Sequence, residues 1–238
     1  MTPTCARAQS PPPPGVNRPD LRWMAAAALG LLILSVAALS IDAWFVGWIN
    51  SWAGDGMWPR RLLKWPRWLF EWWTVVLCAL LLLRQTGARQ RLIAGAVSLL
   101  GMLGTVHALK FLVARARPQL ALGPFHLGFP GSSGSMLDSF PSGHTANAVL
   151  LALLIGCYWR WTRWVLWPAA VLVGLGRVAQ ERHYLSDTLF AAAVALLWVY
   201  LPWRWFGAAA FAPSGRESTV SCCGAGSAPD SARPPGSG

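Results

Sequence analysis

The chain has 238 residues, of which 55% are hydrophobic, only 12% are charged and sixteen are Trp. This composition excludes an ordinary soluble domain and favours a membrane protein. Twenty Lys and Arg against nine Asp and Glu give a formal charge of +11, which indicates an anionic partner. Because the basic residues occur in short groups between apolar runs, membrane lipid is favoured over nucleic acid as that partner.

Six apolar segments approach the roughly 20 residues that a helix needs to cross a bilayer. The sequence therefore predicts an all-α polytopic membrane protein with six transmembrane helices in one domain, residues 21–211. The first span is interpreted as a retained helix, because its apolar run exceeds the roughly 7–15 residues of a secretory signal core. The predicted spans are Met24–Ile41, Trp68–Leu83, Leu92–Val113, Thr145–Trp159, Trp164–Val178 and Leu189–Trp205.

Polar segments flank and interrupt these spans. Residues 1–20, which include Pro11 to Pro14, and the Ser- and Gly-rich residues 212–238 are predicted to be a disordered leader and tail. The segment Met57–Trp68 alternates Trp and Leu with Arg and Lys, so it is either an amphipathic element lying on anionic lipid or a basic loop with Trp anchors. The five cysteines show no CxxC or zinc-ligand spacing, so no metal site is predicted.

The distribution of basic residues predicts the orientation of the helices. Six spans place both termini on one side of the membrane, where eleven of the twenty Lys and Arg fall, against nine on the other side. The positive-inside rule therefore favours cytoplasmic termini. The loops after the first, third and fifth spans are then expected to face outward.

Ionisable side chains at membrane depth are costly, so each one is a candidate functional residue. Asp42 and Glu71 are interpreted as charges at helix ends, and His107 as a hydrogen-bonded packing residue outside any site. The other candidates form three groups with regular internal spacing.

The first group is Lys110 and Arg117, which are seven residues apart and precede Pro118. On a helix this spacing equals two turns, so an ammonium and a guanidinium can converge on one anion. Pro118 would mark the helix exit. The alternative is that the two basic residues only anchor the end of a span.

The second group is the segment Pro141 to His144, directly before an apolar span. Ser142 is typical of a helix N-cap, and Gly143 lets the backbone approach a ligand at the anion-binding start of a helix. His144 stands where a proton can be passed to a bound group. The alternative is an ordinary cap followed by an interfacial histidine.

The third group is Arg177, His183 and Asp187. If helical, His183 and Asp187 share a face, so the carboxylate would accept the Nδ1 proton and leave Nε2 as nucleophile or base. The alternative is a structural His–Asp pair. Together the three groups suit phosphoryl transfer, which depends on positioning and on stabilising the charge of the phosphoryl oxygens.

These residues resemble the active-site pattern of the type 2 phosphatidic acid phosphatases (PAP2), a family that shares its pattern with vanadium haloperoxidases. K-x6-R-P matches at Lys110, Arg117 and Pro118, P-S-G-H matches at residues 141–144, and S-R-x5-H-x3-D matches at residues 177–187. One position departs from the pattern, since Gly176 stands where the family has Ser. The six predicted spans are also similar to the membrane branch of this family.

The resemblance implies a role for each matched residue. His183 would attack phosphorus, Asp187 would hold its ring, and His144 would protonate the leaving oxygen and later activate water. The phosphate oxygens would be held by Lys110, Arg117, Ser142, Gly143 and Arg177. No metal and no other cofactor is implied.

The resemblance also implies the substrate class, a lipid phosphate or diphosphate such as undecaprenyl diphosphate, phosphatidylglycerophosphate, phosphatidic acid or a lipid A phosphate. The expected location is the bacterial inner (plasma) membrane, with the site on the extracytoplasmic side. The loop Gln119–Phe140 carries apolar residues among its glycines and either covers the site, guides the lipid or is merely mobile. Neither the individual lipid nor the oligomeric state is predicted.

Two other functions fit parts of the pattern. A vanadate-dependent haloperoxidase would use the same pocket, but that branch is mostly soluble and larger. A transporter would also carry ionisable residues inside its spans, but no inverted repeat is evident and the polar groups lie toward one membrane face.

Overall fold

A computed structural model describes residues 21–53, 70, 76, 80, 83, 88–132 and 136–206. This part of the chain is α-helical, with one isolated antiparallel bridge between Arg115 and Leu127. The α-helices are α1 (Leu21–Ala38), α2 (Asp42–Ala53), α3 (Ala88–Val113), α4 (Gly143–Tyr158), α5 (Arg163–Ala179) and α6 (Leu185–Phe206), and 3-10 turns form at Pro118–Leu120 and Arg160–Thr162. The predicted all-α class is confirmed.

Five of the six predicted spans coincide with a helix, namely α1 and α3 to α6. The second, Trp68–Leu83, lies mostly outside the described residues, and Met57–Trp68, the leader and the tail lie entirely outside them. By length and apolar composition, α3 and α6 can each cross a membrane, and α1 and α2 qualify together as a pair bent by 86°. The chain is thus a polytopic membrane protein.

The bend between α1 and α2 falls in the short turn before Asp42. Asp42 opens α2, where a carboxylate interacts favourably with the free N–H groups of the first turn. Its side chain is fully buried. The interpretation of Asp42 as a helix-end charge is correct, because the residue begins a helix. The sequence did not predict that this helix is α2 or that the Asp42 side chain is buried.

The centre of the bundle is α4, which contacts α3, α5 and α6. A helix that is apolar on all sides is expected to be enclosed, and α4 is buried over most of its length. Helix α6 packs on α1 and α3 as well. At Gly101 of α3 an added Cβ would lie 2.2 Å from the ring of Trp198 on α6, so only glycine permits this approach of the two helices.

Large apolar side chains also cover the outside of the bundle. Leu29, Ile33 and Val36 on α1 and Leu100 and Leu112 on α3 are each more than half exposed. In a soluble monomer a surface of this kind would be unusually apolar, whereas a membrane-spanning bundle presents it to lipid.

Candidate active site

The site lies where α3 and α5 end and α4 and α6 begin. The chain leaving α3 is held in place by backbone hydrogen bonds, because Ser139 N–H donates to the Arg115 carbonyl at 3.0 Å and Gln119 N–H donates to the Glu181 carbonyl at 3.2 Å. These bonds bring the segment after α3, the segment before α4 and the linker between α5 and α6 together.

His183 lies in that linker and is 1% exposed. Its Nδ1 is 2.6 Å from the carbonyl oxygen of Ser139. A carbonyl oxygen only accepts hydrogen bonds, so Nδ1 carries the proton and Nε2 keeps its lone pair. The ring is therefore fixed in the tautomer that a nucleophilic Nε2 requires.

Asp187 does not bind the His183 ring directly. Its Oδ2 lies 4.0 Å from Nδ1, beyond hydrogen-bonding distance. The predicted direct hydrogen bond is therefore wrong. The reason is local, because α6 begins only at Leu185 and His183 precedes it, so the two residues do not share a helical face.

Asp187 instead acts at the start of α6 and on Ser139. Its Oδ2 accepts a hydrogen bond from the Tyr184 N–H at 2.8 Å, as an acid in the first turn does in a capping box. The same oxygen accepts the Ser139 hydroxyl at 2.5 Å. Ser139 therefore joins the two residues, with its hydroxyl on Asp187 and its carbonyl on His183.

Behind Asp187 lies a buried ion cluster formed by Asp42, Arg115 and Asp187. Arg115 Nη1 is 2.5 Å from Asp187 Oδ1, and its Nη2 is 2.8 Å from Asp42 Oδ2. Asp42 also accepts the N–H of Ser186 at 3.0 Å and its hydroxyl at 2.5 Å. The Arg115 guanidinium lies 4.3 Å from the ring centre of Tyr184.

Sequence reasoning assigned no site role to Arg115 or Asp42. Each is an ionisable residue beside a predicted span, as the other candidates are. The sequence interprets Asp42 as a helix-end charge, and Arg115 belongs to none of the three groups. Their partners are more than 70 residues away in the chain, so no local spacing reveals them.

On the more open side, Lys110 and Arg117 meet at Asp138. The Arg117 Nη2 is 2.8 Å and the Lys110 Nζ is 3.5 Å from the same oxygen, Asp138 Oδ2. The two predicted phosphate ligands are thus brought together on a carboxylate. Asp138 itself was not among the predicted site residues.

Arg177 lies in the last turn of α5, directly after the buried Gly176 that replaces the family serine. Burial lowers the pKa of His183 well below its usual range, and the positive charges of Arg177, Lys110 and, more weakly, Arg117 lower it further. The Ser139 carbonyl only partly opposes these effects. Burial and three predicted phosphate ligands therefore act together to lower the pKa of His183.

The segment before α4 joins the site through Ser142, the N-cap of that helix. Its N–H donates to the Asp187 carbonyl at 3.3 Å, and its buried hydroxyl pairs with the Thr145 hydroxyl at 2.9 Å. At Gly143, a Cβ would make only an ordinary 3.7 Å contact with Val106. Packing within the described residues thus does not require glycine there.

The two other candidate histidines differ in position. His144 is exposed on the first turn of α4, at the site end of the bundle. His107 lies on α3, and its Nδ1 donates to the Leu103 carbonyl at 2.9 Å, so the predicted hydrogen bond is present, although the side chain is exposed and not packed. Within the described ranges, no group of three His, Cys, Asp or Glu residues is arranged to hold a metal ion.

The sequence profile of the PAP2 superfamily matches residues 91–210, half of the chain. The chain belongs to the PAP2 superfamily. The matched region runs from α3 into the segment after α6 and contains all eight predicted site residues. The predicted family resemblance is confirmed.

Two known proteins are similar to the chain. It is 32% identical to a lipid A 1-phosphatase of Porphyromonas gingivalis over 110 residues, which are 44% of this chain and 22% of that protein. The chain thus spans about a fifth of that relative's length. The fold is also similar to the crystal structure of a transmembrane PAP2-type phosphatidylglycerolphosphate phosphatase from Bacillus subtilis. The superposition has a TM-score of 0.53 at 20% identity and covers 76% of this chain and 94% of that one. The two proteins therefore share a fold.

Proposed function

We propose that this PAP2 protein is a lipid phosphatase that removes phosphate from a lipid phosphate or lipid diphosphate through a phosphohistidine on His183. The observation that carries the proposal is the state of His183, whose Nδ1 is bound to the Ser139 carbonyl while the positive charges of Arg177, Lys110 and Arg117 lower the pKa of the buried ring. A neutral imidazole with a bare Nε2 is a nucleophile, and the cations suit the charge of a phosphoryl group. The name of the Porphyromonas relative, a lipid A 1-phosphatase, supports removal of phosphate from a lipid.

In the first step, His183 Nε2 attacks phosphorus and the bond between phosphorus and the lipid oxygen breaks. His144, in its protonated form, gives its proton to the departing oxygen. Lys110, Arg117 and Arg177, with the Ser142 hydroxyl and the Gly143 N–H, hold the phosphoryl oxygens. The products are a phosphohistidine and the lipid alcohol, or the lipid monophosphate when the substrate is a diphosphate and the bond to the bridging oxygen breaks.

In the second step, His144, now neutral, takes a proton from water, and the resulting hydroxide attacks phosphorus. The bond between phosphorus and Nε2 breaks, inorganic phosphate leaves, and His183 returns to its neutral tautomer. Throughout, the Ser139 carbonyl holds the Nδ1 proton, and Asp187 positions Ser139.

A rapid-quench experiment with radiolabelled lipid phosphate tests the intermediate. The wild-type enzyme is expected to form an acid-labile, base-stable phosphoprotein, and His183→Ala is expected to lose both this label and turnover, by at least about four orders of magnitude. Near-normal turnover in folded His183→Ala would exclude the covalent route.

His144→Ala tests the proton donor. A lipid alkoxide is a poor leaving group and needs the proton, whereas an activated aryl phosphate does not. The variant is therefore expected to lose more activity on the lipid than on the aryl phosphate. Equal losses on both substrates would exclude His144 as the acid.

The proposed reaction needs no metal, because side-chain cations balance the phosphate charge. Activity is expected to survive prolonged dialysis against EDTA. Loss of activity that is restored by one divalent cation would show that this part of the proposal is wrong.

The substrate class is proposed to include undecaprenyl diphosphate, phosphatidylglycerophosphate, phosphatidic acid and lipid A phosphate. The exposed rings of Phe125 and Phe129 and the Leu127 side chain, in the segment after α3, support lateral entry of the lipid. Phosphate release from each lipid by the purified enzyme in mixed micelles ranks these substrates. Release from none of them would contradict the lipid assignment.

The site is proposed to open on the extracytoplasmic side of a bacterial inner membrane. In a background with the other native cysteines replaced by Ser, Cys222 reports on the tail and Leu122→Cys, at a half-exposed position, reports on the loop. A membrane-impermeant thiol reagent applied to intact cells is expected to label the loop and not the tail. The opposite pattern would invert the topology.

A further inference from the structure

The carboxylate of Asp138 lies where two of the proposed phosphate ligands converge. Its Oδ2 is 2.8 Å from Arg117 Nη2 and 3.5 Å from Lys110 Nζ. A phosphate oxygen that bound between the same two nitrogens would need the place that Oδ2 takes. Asp138 and a phosphate oxygen therefore compete for these two nitrogens.

Asp138 differs from the other carboxylates of the site in its freedom to move. The side chains of Asp42 and Asp187 are 0% exposed and are each held by several donors, whereas that of Asp138 is 23% exposed. A partly exposed carboxylate can turn toward water without leaving a buried charge unpaired. The contact with the two cations is thus an exchangeable one.

The charges give this exchange a direction. Three cations, Lys110, Arg117 and Arg177, act on His183. Without a nearby carboxylate they would hold inorganic phosphate, the second product of the proposed reaction, strongly. A carboxylate that returns to Lys110 and Arg117 replaces the phosphate oxygens. Its negative charge also offsets the repulsion between the two cations.

We propose that Asp138 sets the affinity of the site for phosphate by competing with the phosphoryl oxygens for Lys110 and Arg117, and so promotes release of inorganic phosphate after each turnover. The proposal rests on the proposed phosphatase function, because it uses the same cations as phosphate ligands. It adds a residue that lies outside the matched motif positions, and it assigns that residue to product release.

The test measures binding of inorganic phosphate to the purified protein in detergent, from the rise in unfolding temperature with phosphate concentration. Asp138→Asn keeps the size of the side chain and removes its charge, and it is expected to lower the Kd for phosphate by about tenfold or more. Glu181→Gln is the matched control. Its carboxylate binds the Asn50 amide at 2.6 Å, so the same change of charge there is expected to leave the Kd unchanged.

A double variant separates competition from a general gain in positive charge. In Asp138→Asn combined with Arg117→Met, the gain in phosphate affinity is expected to disappear, because the cation that Asp138 shields is gone. In steady-state assays, Asp138→Asn is expected to show stronger product inhibition by phosphate.

Each outcome decides between the possibilities. An unchanged or higher Kd in Asp138→Asn would overturn the proposal and leave the phosphatase function intact, because Asp138 would then only position the two cations. If phosphate bound neither the wild type nor the variant, these cations would not be phosphate ligands, and the proposed use of the site would fall as well.

Discussion

Two arginine–aspartate clusters lie at the same end of the bundle, and their arginines are two residues apart in the chain. Arg115 is enclosed between Asp42 and Asp187, with arginine and carboxylate side chains only 0–4% exposed. Arg117 meets Asp138 on the open side, where the two side chains are 15% and 23% exposed. Similar arginine–aspartate pairs therefore lie in two environments: the Arg115 cluster is sealed from solvent by burial, and the Arg117 pair is partly accessible.

This difference shows that burial decides what an ion pair contributes. Removing one member of a sealed pair leaves a charge that neither water nor another residue can compensate, so such a pair holds the framework. A partly exposed pair contributes little to stability and can exchange its partner for a ligand. We therefore expect substitutions in the Arg115 cluster to lower the stability of the fold and substitutions in the Arg117 cluster to change the binding of phosphate.

The largest effect is expected for Arg115→Met, which leaves Asp42 and Asp187 buried without their cation. The free energy of unfolding in detergent is expected to fall by about 3–5 kcal/mol. Adding Asp42→Asn should recover part of this loss, since one of the two uncompensated charges is then removed. Wild-type stability of Arg115→Met would show that the sealed cluster is not part of the framework.

The matched change, Arg117→Met, is expected to lower kcat/KM for a lipid phosphate by about a hundredfold, because one donor to the phosphoryl oxygens is lost. Its free energy of unfolding should stay within about 1 kcal/mol of the wild type. Denaturation and kinetics measured on the same preparation check both values. A large loss of stability would place Arg117 with Arg115 and remove the distinction between the clusters.

A smaller effect is expected for Ser139→Ala, which removes the hydroxyl bound to Asp187 and keeps the carbonyl bound to His183. We expect kcat to fall by about tenfold at an unchanged KM, because the ring is less well positioned while substrate binding is unaffected. Ser51→Ala is the control, since the Ser51 hydroxyl is exposed and donates to the carbonyl of Trp48 in its own helix. A rise in KM alone would contradict a positioning role for Ser139.

The smallest effect concerns pH. His183 has a pKa well below 6.5 in the folded protein, so below pH 6.5 the unfolded chain binds the proton and the folded one does not. Stability should therefore decline as the pH falls below about 6.5, and less steeply in His183→Ala. Carbon-13 NMR of labelled histidine should show the His183 ring still neutral at pH 6. Titration of the ring near pH 6.5 would contradict the lowered pKa of His183.

The sequence predicted the parts of the fold that depend on long apolar runs and the parts of the site that follow a motif. It missed α2, because residues 42–53 mix Trp with Gly, Asn and Ser and show no long apolar run. It predicted the wrong partner for His183, because the exact start of α6 decides which side chains share a face. The sealed cluster joins residues more than 70 positions apart, and only tertiary packing brings them together.

The Asp42–Arg115–Asp187 cluster also bears on how the protein is made. Its members come from the start of α2, the segment after α3 and the first turn of α6, so synthesis and insertion must reach α6 before Arg115 can pair with both carboxylates. Until then Asp42 and Arg115 lack the contacts with α6, and an incompletely inserted chain bears the energetic cost of charges that are not fully paired. The ion pairs of this cluster therefore form only in a chain whose first described helices and last described helix have come together.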